Sequence, residues 1–168
     1  MNNPKANEME IIETNPKQRP GLLTALCILT FIGSGFGVLN NIFGMIMSPI
    51  KNFLDPEFFE TALDNVHDDF ARKFVEQALE IGQKAIEHIF EISLAQFILY
   101  AASLTGAILM FQLKKTGFYI YSAAQVLLLF VAPAFIGFNL FVNIGMMFGS
   151  VFTILFIALY AINLKKMN

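Results

Sequence analysis

The sequence predicts an all-α membrane protein with four transmembrane helices, and two observations lead to this fold class. Three long stretches, residues 21–50, 92–113 and 116–164, contain no Asp, Glu, Lys or Arg. A charged side chain at the centre of a bilayer costs about 2.5–3.5 kcal/mol, so such stretches are typical of membrane-spanning segments. Each stretch is also long enough to cross the hydrocarbon layer, which takes about 20 apolar residues in a helix.

The first two stretches each predict one span, over residues 22–47 and 92–113. Together with the later spans they make a single membrane domain over residues 19–168. The polar tail that precedes it, residues 1–18, is expected to be disordered and cytoplasmic. The segment between the two spans, residues 48–91, is polar and forms the one sizeable loop.

The third stretch predicts two spans. Its 49 residues would make a single helix about 73 Å long, more than twice the thickness of the hydrocarbon layer. We therefore expect it to fold back, with spans over residues 116–133 and 141–164. Pro133 and the residues 137–139 (Gly-Phe-Asn) mark the reversal, since proline disfavours helix before it and Gly and Asn favour turns.

The distribution of charge predicts the orientation. Basic residues beside the spans all fall on one side of a four-span topology: Lys17, Arg19, Lys114, Lys115, Lys165 and Lys166. The loop of residues 48–91, on the other side, has ten acidic and four basic residues. Since cytoplasmic loops carry an excess of Lys and Arg, both termini are expected in the cytoplasm and the loop outside.

The extracytoplasmic loop is expected to contain an amphipathic helix or a helical hairpin. Apolar residues recur every three or four positions through residues 57–92, as on one face of a helix. A straight helix over this range would be about 52 Å long, whereas the linker after the first span reaches about 30 Å. We therefore expect the helix to break, best at residues 65–69, or to lie along the membrane. The apolar stripe comprises Phe59, Leu63, Val66, Phe70, Phe74 and Ile81, with Ala78, Ala85, Ile89 and Ile92 continuing it.

Three interpretations of this stripe remain open. Packing of two loop segments on each other and on the span ends is the usual reason for such a pattern. A helix lying in the membrane interface is a second, although such helices usually have a Lys/Arg-rich polar face and this loop is acidic. A docking surface for a partner is the third and the most informative about function.

The polar residues of the spans form a second candidate site. Because lipid offers no hydrogen bonds, such side chains should turn inward and pair between helices. An alternative is that they line a small polar cavity in the outer half of the bundle. The candidate intramembrane cluster comprises Asn41, Gln96, Tyr100, Gln125 and Asn143.

Small residues four positions apart predict close helix packing. The pairs are Gly33 with Gly37, Ala102 with Gly106, and Gly145 with Gly149. We expect these faces to lie within the bundle.

We expect no catalytic, metal or cofactor site. The two His–carboxylate groups of the loop, around His67 (Asp64, Asp68) and His88 (Glu87, Glu91), are what an acidic helix produces by chance, and two ligands of this type do not specify a metal. No nucleophile–base pair or phosphate-binding sequence is present. Residues 21–50, 92–113 and 116–164 lack the ionisable groups on which proton-coupled carriers rely.

The frame resembles small uncharacterised four-pass bacterial inner-membrane proteins. The similar parts are residues 19–24 (Arg-Pro-Gly-Leu-Leu-Thr), residues 114–119 (Lys-Lys-Thr-Gly-Phe-Tyr) and the last span, which ends in lysines. The resemblance covers the four spans and not the loop of residues 48–91. It implies a location in the bacterial inner membrane and no particular activity.

These observations predict a non-enzymatic interaction or assembly subunit that acts through its loop helices. Its expected surroundings are the lipid bilayer and a membrane-protein partner or a second copy, with no nucleic acid. The alternative is an oligomeric channel or small-solute carrier that uses the polar residues of the spans.

Overall fold

The computed structural model describes residues 20–49 and 68–167 of the protein. These residues form five α-helices and no β-strand. The helices are α1 (Gly21–Met47), α2 (Asp69–Glu87), α3 (Ile89–Phe111), α4 (Thr116–Ile136) and α5 (Leu140–Asn163), and a 3-10 turn over Leu164–Lys166 follows. The all-α prediction is confirmed for this part of the chain.

Four helices, α1, α3, α4 and α5, are long and apolar enough to cross a membrane. This finding indicates a multi-pass membrane protein, and the four candidate spans among the described residues agree with the predicted number. The bounds differ by a few residues, since α3 begins at Ile89 instead of residue 92 and α4 continues to Ile136 instead of residue 133. The predicted tail and residues 50–67 of the predicted loop lie outside the described residues.

The turn between α4 and α5 is made by glycine and asparagine. Pro133 lies inside α4, so the helix passes the residue that was expected to end it. The chain leaves the helix at Gly137, whose φ of 87° is open to glycine and strained for other residues. Asn139 then caps α5, because its side-chain oxygen accepts a hydrogen bond from the Val142 backbone N–H at 2.9 Å.

The turn between α3 and α4 carries the lysine pair. Leu113 has a φ of 63°, an uncommon left-handed conformation for a leucine. The next residue, Lys114, donates its backbone N–H to the Leu109 carbonyl at 2.9 Å, which closes a Schellman-type helix end. The Leu113 side chain packs on the hydrophobic core, and this contact offsets part of the backbone strain.

The hydrophobic core lies at one end of the bundle. Its buried members come from the start of α1, the end of α3, the start of α4, the end of α5 and the residue after the 3-10 turn: Leu23, Leu26, Cys27, Met110, Tyr121, Tyr160 and Met167. We call this the basic end, since Lys114, Lys115, Lys165 and Lys166 lie there. The opposite end, with α2 and the turn over residues 137–139, is the loop end. The spans are therefore packed most tightly where the basic residues lie.

Helices α3 and α4 touch through their backbones at two glycines. A Cβ added at Gly106 would lie 2.8 Å from both the Gly117 carbonyl oxygen and the Tyr121 backbone nitrogen. A Cβ added at Gly117 would lie 2.7 Å from the Met110 backbone nitrogen. Both distances are far below van der Waals contact, so only glycine fits on either side of this crossing.

The other glycines divide into packed and open positions. Gly37 of α1 faces the Tyr100 ring, and Gly44 faces Ser93, so α1 and α3 approach closely along the C-terminal half of α1. Gly33 and Gly145 have no atom within 4 Å of an added Cβ. In the pairs predicted for α1 and α5, therefore, one glycine lies at a helix contact and the other faces open space.

Helix α2 covers part of the loop end. Asp68 caps it by accepting a hydrogen bond from the Ala71 backbone N–H at 2.8 Å, so this helix begins within the polar run where a break was predicted. The helix passes through Gly82 without a break and ends at His88, where α3 begins. The Phe74 ring packs on Phe141 of α5 at 4.7 Å between centroids.

Helix α5 is the least buried span. It packs against α4 and meets α1 near the basic end, and most of its surface is exposed. Only four of its residues are buried: Val142, Thr153, Tyr160 and Asn163. The space that α5 leaves beside α1 determines the site described next.

Candidate functional site: a polar cavity between the spans

A cavity of about 390 Å³ lies among the four spans. Its apolar wall comes from leucine and phenylalanine side chains of α1, α4 and α5, and glycines 33 and 149 also face it. Its polar groups come from all four spans: Thr30, Ser34, Tyr100, Tyr121, Gln125 and Thr153. We call it the central cavity, because its lining residues belong to the middle parts of the helices. Its volume lies at the lower end of the range for small-molecule sites.

Toward the basic end, the lining residue Tyr121 packs on Tyr160, which is not part of the lining. The rings of Tyr121 and Tyr160 meet edge to face, with 4.9 Å between their centroids and 65° between their planes. The Tyr160 hydroxyl is hydrogen-bonded to the Thr30 hydroxyl at 2.8 Å. This bond joins α5 to α1 beside the lining residue Thr30.

Two residues that line the central cavity, Ser34 and Gln125, are connected by hydrogen bonds through Ser103. Ser103 of α3 is hydrogen-bonded to Ser34 of α1 at 3.0 Å. Gln125 of α4 donates its Nε2–H to the Ser103 hydroxyl oxygen, also at 3.0 Å. In lipid such bonds contribute about 0.6 kcal/mol each on average, so their main effect is to orient the three side chains.

The structure brings together only part of the predicted intramembrane cluster. Tyr100 and Gln125 line the central cavity. Asn41 is buried, and its Nδ2–H donates to the Gly37 carbonyl of its own helix at 2.8 Å. Gln96 is half-buried outside the cavity lining, and Asn143 is exposed on α5. The cavity therefore lies nearer the middle of the bundle than the outer half where the cluster was expected.

Several lining residues were missed by sequence reasoning because they are small. Thr30 and Ser34 are four positions apart, which places their hydroxyls on one face of α1. This spacing is a usable signal, although Ser and Thr in membrane helices more often bond to their own backbone. Tyr121 and Thr153 have no comparable signal in the sequence.

The predicted docking stripe is partly within the described residues. Phe70, Phe74 and Ile81 belong to α2. Phe70 is 81% exposed, Phe74 contacts Phe141, and Ile81 is half-buried. The remaining members lie outside the described residues: Phe59, Leu63 and Val66.

In the part of the chain that the structure describes, the His–carboxylate groups do not form a common site. No three His, Cys, Asp or Glu side chains there are placed to hold a metal ion. The His88 ring lies 6.0 Å from the Phe135 ring, between centroids, at the junction of α2 and α3. Asp64 and His67 lie outside the described ranges.

Comparisons with protein-family models, curated proteins and solved structures find no match to this chain. The interpretation of the site therefore depends on its geometry and chemistry.

Proposed function

We propose that this protein is a non-enzymatic subunit of the bacterial inner membrane that binds another membrane protein through one face of α2. Both termini are cytoplasmic in this proposal, and α2 lies outside. The supporting charges are Lys114, Lys115, Lys165 and Lys166 at the basic end, where the positive-inside rule favours the cytoplasm. The turn and α2 at the loop end then face the other compartment.

The observation that carries this proposal is the division of the apolar side of α2. One half, which includes Val75, Leu79 and Ile86, is half-buried toward the bundle. The adjoining half is only partly free, since Phe74 packs on α5, whereas Phe70 is 81% exposed and Ala78 is also exposed. An apolar strip of this kind, next to a face that is already packed, is the arrangement by which a helix adds a partner.

The charge on the polar face of α2 favours a protein partner over lipid headgroups. That face has Asp69, Glu76, Glu80 and Glu87 against three basic residues, Arg72, Lys73 and Lys84. Helices that lie on anionic membranes usually have polar faces rich in Lys and Arg. A mixed face with a slight acidic excess is better suited to water, so the strip beside it is proposed to contact protein.

The test substitutes Phe70 with aspartate in the full-length protein. Because the Phe70 side chain is largely exposed, Phe70→Asp should leave the fold unchanged while placing a charge in the proposed contact. We expect in-membrane crosslinks from α2 to the partner to fall by about tenfold or more, which corresponds to at least about 1.4 kcal/mol of lost binding free energy. Crosslinked products are read by mass spectrometry.

The matched control is Gln83→Asp, which adds the same charge to the polar face of the same helix. It should leave the crosslinks unchanged. Phe74 is unsuitable for the test, since it contacts Phe141 within the chain and its replacement would also disturb the bundle. Crosslinks that survive Phe70→Asp would refute the proposal. Crosslinks that join only two copies of this chain would show that α2 contacts a second copy in a homo-oligomer and not a different protein.

The alternative function is an oligomeric channel or small-solute carrier, and the central cavity favours it. Gln125 and Tyr100 give this cavity polar groups within the apolar bundle. If it carries solute, liposomes with the reconstituted protein should release a small uncharged solute such as glycerol faster than empty liposomes. Gln125→Leu, which removes the amide but keeps the volume, should then return release toward the empty-liposome rate. Release by the wild-type protein at the empty-liposome rate would exclude this alternative.

A further inference from the structure

The central cavity is open on the side between α1 and α5. Its lining residues Thr30, Ser34 and Thr153 are buried. By contrast, Leu29 of α1 is 55% exposed and Phe152 of α5 is 62% exposed, although both also line the cavity. The exposed lining residues thus belong to two helices, which are joined toward the basic end by the Thr30–Tyr160 hydrogen bond.

This opening lies at the depth of the hydrocarbon layer. Gly33 is the thirteenth residue of the 27-residue α1, and Phe152 is the thirteenth of the 24-residue α5. At 1.5 Å per residue, each lies about 18 Å from the start of its helix, close to the middle of the bilayer. A molecule that enters by this route must therefore come from the lipid phase.

The chemistry of the lining selects an uncharged ligand. None of the residues that line the central cavity is Asp, Glu, Lys, Arg or His. An ionic head group would thus lose its hydration at the middle of the bilayer without finding a counter-charge. An uncharged molecule with a mostly apolar body meets no such penalty.

Two polar side chains of the lining have hydrogen-bonding capacity left over. Gln125 donates through Nε2 to Ser103, and its carbonyl oxygen accepts no hydrogen bond from the described residues. The Tyr100 hydroxyl likewise makes none within the described ranges. Both residues line the central cavity, and polar groups in lipid need partners, so an acceptor and a hydroxyl on these two side chains are suited to a ligand hydroxyl or carbonyl.

We propose that the central cavity binds an uncharged, membrane-soluble molecule, which enters between α1 and α5 and places a hydroxyl or carbonyl group on Gln125 and Tyr100. Its apolar part lies against the leucine and phenylalanine side chains and extends toward the opening. This binding is independent of the contact proposed for α2, and it requires no transport across the membrane.

The test uses two photoreactive probes of equal chain length in liposomes that contain the full-length protein. One is a long-chain alcohol with a diazirine close to its hydroxyl, and the other is the fatty acid with the diazirine at the matching carbon. Adducts are located by peptide mass spectrometry on Thr153, inside the cavity, and on Ile162, an exposed residue of α5 that faces lipid. We expect the alcohol to label both residues and the fatty acid to label only Ile162.

A bulky residue at the opening should block entry. Gly33 lines the cavity and has no atom within 4 Å of an added Cβ, so a side chain can be started there without a clash, and Gly33→Phe places a ring at the gap. We expect the Thr153 adducts to fall about tenfold relative to those on Ile162, equivalent to about 1.4 kcal/mol. Gly145→Phe is the matched control, because Gly145 is equally open and does not line the cavity. It should leave the ratio of Thr153 to Ile162 adducts unchanged.

A competition experiment on the wild-type protein tests binding in the central cavity even if Gly33→Phe fails to fold. Excess alcohol without the diazirine should lower the Thr153 adducts and leave those on Ile162 unchanged. Equal lowering at both residues, or no Thr153 adducts at all, would show that only surrounding lipid is sampled and would overturn the proposal. Labelling of Thr153 by the fatty acid as well would overturn the assignment to uncharged ligands.

Discussion

Replacing Gly117 by alanine is expected to force α3 and α4 apart and to destabilise the protein by about 1–3 kcal/mol or more, although it adds a single methyl group. The added carbon would meet the Gly106 carbonyl oxygen, the Met110 backbone nitrogen and the Leu109 Cβ. None of these three atoms is the end of a flexible side chain. The strain can therefore be relieved only by moving one helix backbone away from the other.

Thermal unfolding of the purified protein in detergent, followed by circular dichroism, measures this effect. Gly145→Ala is the matched control, because it makes the same chemical change in a span where no atom lies within 4 Å of the new carbon. It should raise the melting temperature slightly or leave it unchanged, since alanine favours helix over glycine. Equal melting temperatures for Gly117→Ala and Gly145→Ala would show that the α3–α4 contact is not as close as described.

Replacing Tyr160 by alanine is expected to cost about 3–5 kcal/mol, in the range for deleting a large buried aromatic side chain. The side chain is fully buried and belongs to the hydrophobic core at the basic end. Its loss removes the ring contact with Tyr121 and the hydrogen bond to Thr30. Because α5 has few other buried residues, we expect this span to detach from α1.

The milder change Tyr160→Phe separates the ring from the hydroxyl. It keeps the ring packing and removes the hydroxyl, which is hydrogen-bonded to Thr30 and also contacts the Cys27 side chain. At about 0.6 kcal/mol for an average bond and about 1.7 kcal/mol for a strong one, the cost stays well below that of Tyr160→Ala. Phe148→Ala, at an exposed position of α5, is the control for loss of an aromatic side chain. The same unfolding measurement applies to all three variants. If Tyr160→Ala were no more destabilising than Phe148→Ala, the core would not depend on Tyr160.

The number of spans could be predicted because the cost of burying charge in lipid acts on each segment separately. Any helix that crosses the bilayer must be nearly free of Asp, Glu, Lys and Arg, whatever it packs against. Residues 116–164 could be divided into two spans for the same reason, since helix length and bilayer thickness are both known. The position of their turn was predicted only in part, because α4 continues past Pro133 and the turn is made at Gly137.

The composition of the candidate site could not be predicted, because pairing depends on which faces of the helices meet. Asn143 and Gln125 look alike in sequence, yet Asn143 is exposed and Gln125 lines the central cavity. Ser103 is one of several polar residues on one face of α3, yet only the structure shows that it links α1 and α4 through two hydrogen bonds. Polar residues can lie on any side of a helix, and the rotation of the packed helix about its own axis decides which of them face inward.

The sequence by itself determined that this is a four-span helical protein. It also determined that the basic residues beside the spans lie at those span ends that a four-span topology brings to one side. Both properties follow from the solvent around each segment. The tertiary structure alone decided which glycines are close contacts and where the bundle is open. Gly33 and Gly117 are the same residue in similar apolar surroundings, but one faces a cavity opening and the other a helix backbone. That difference arises from the distance between neighbouring helices, which depends on all the side chains between them and not on any one segment.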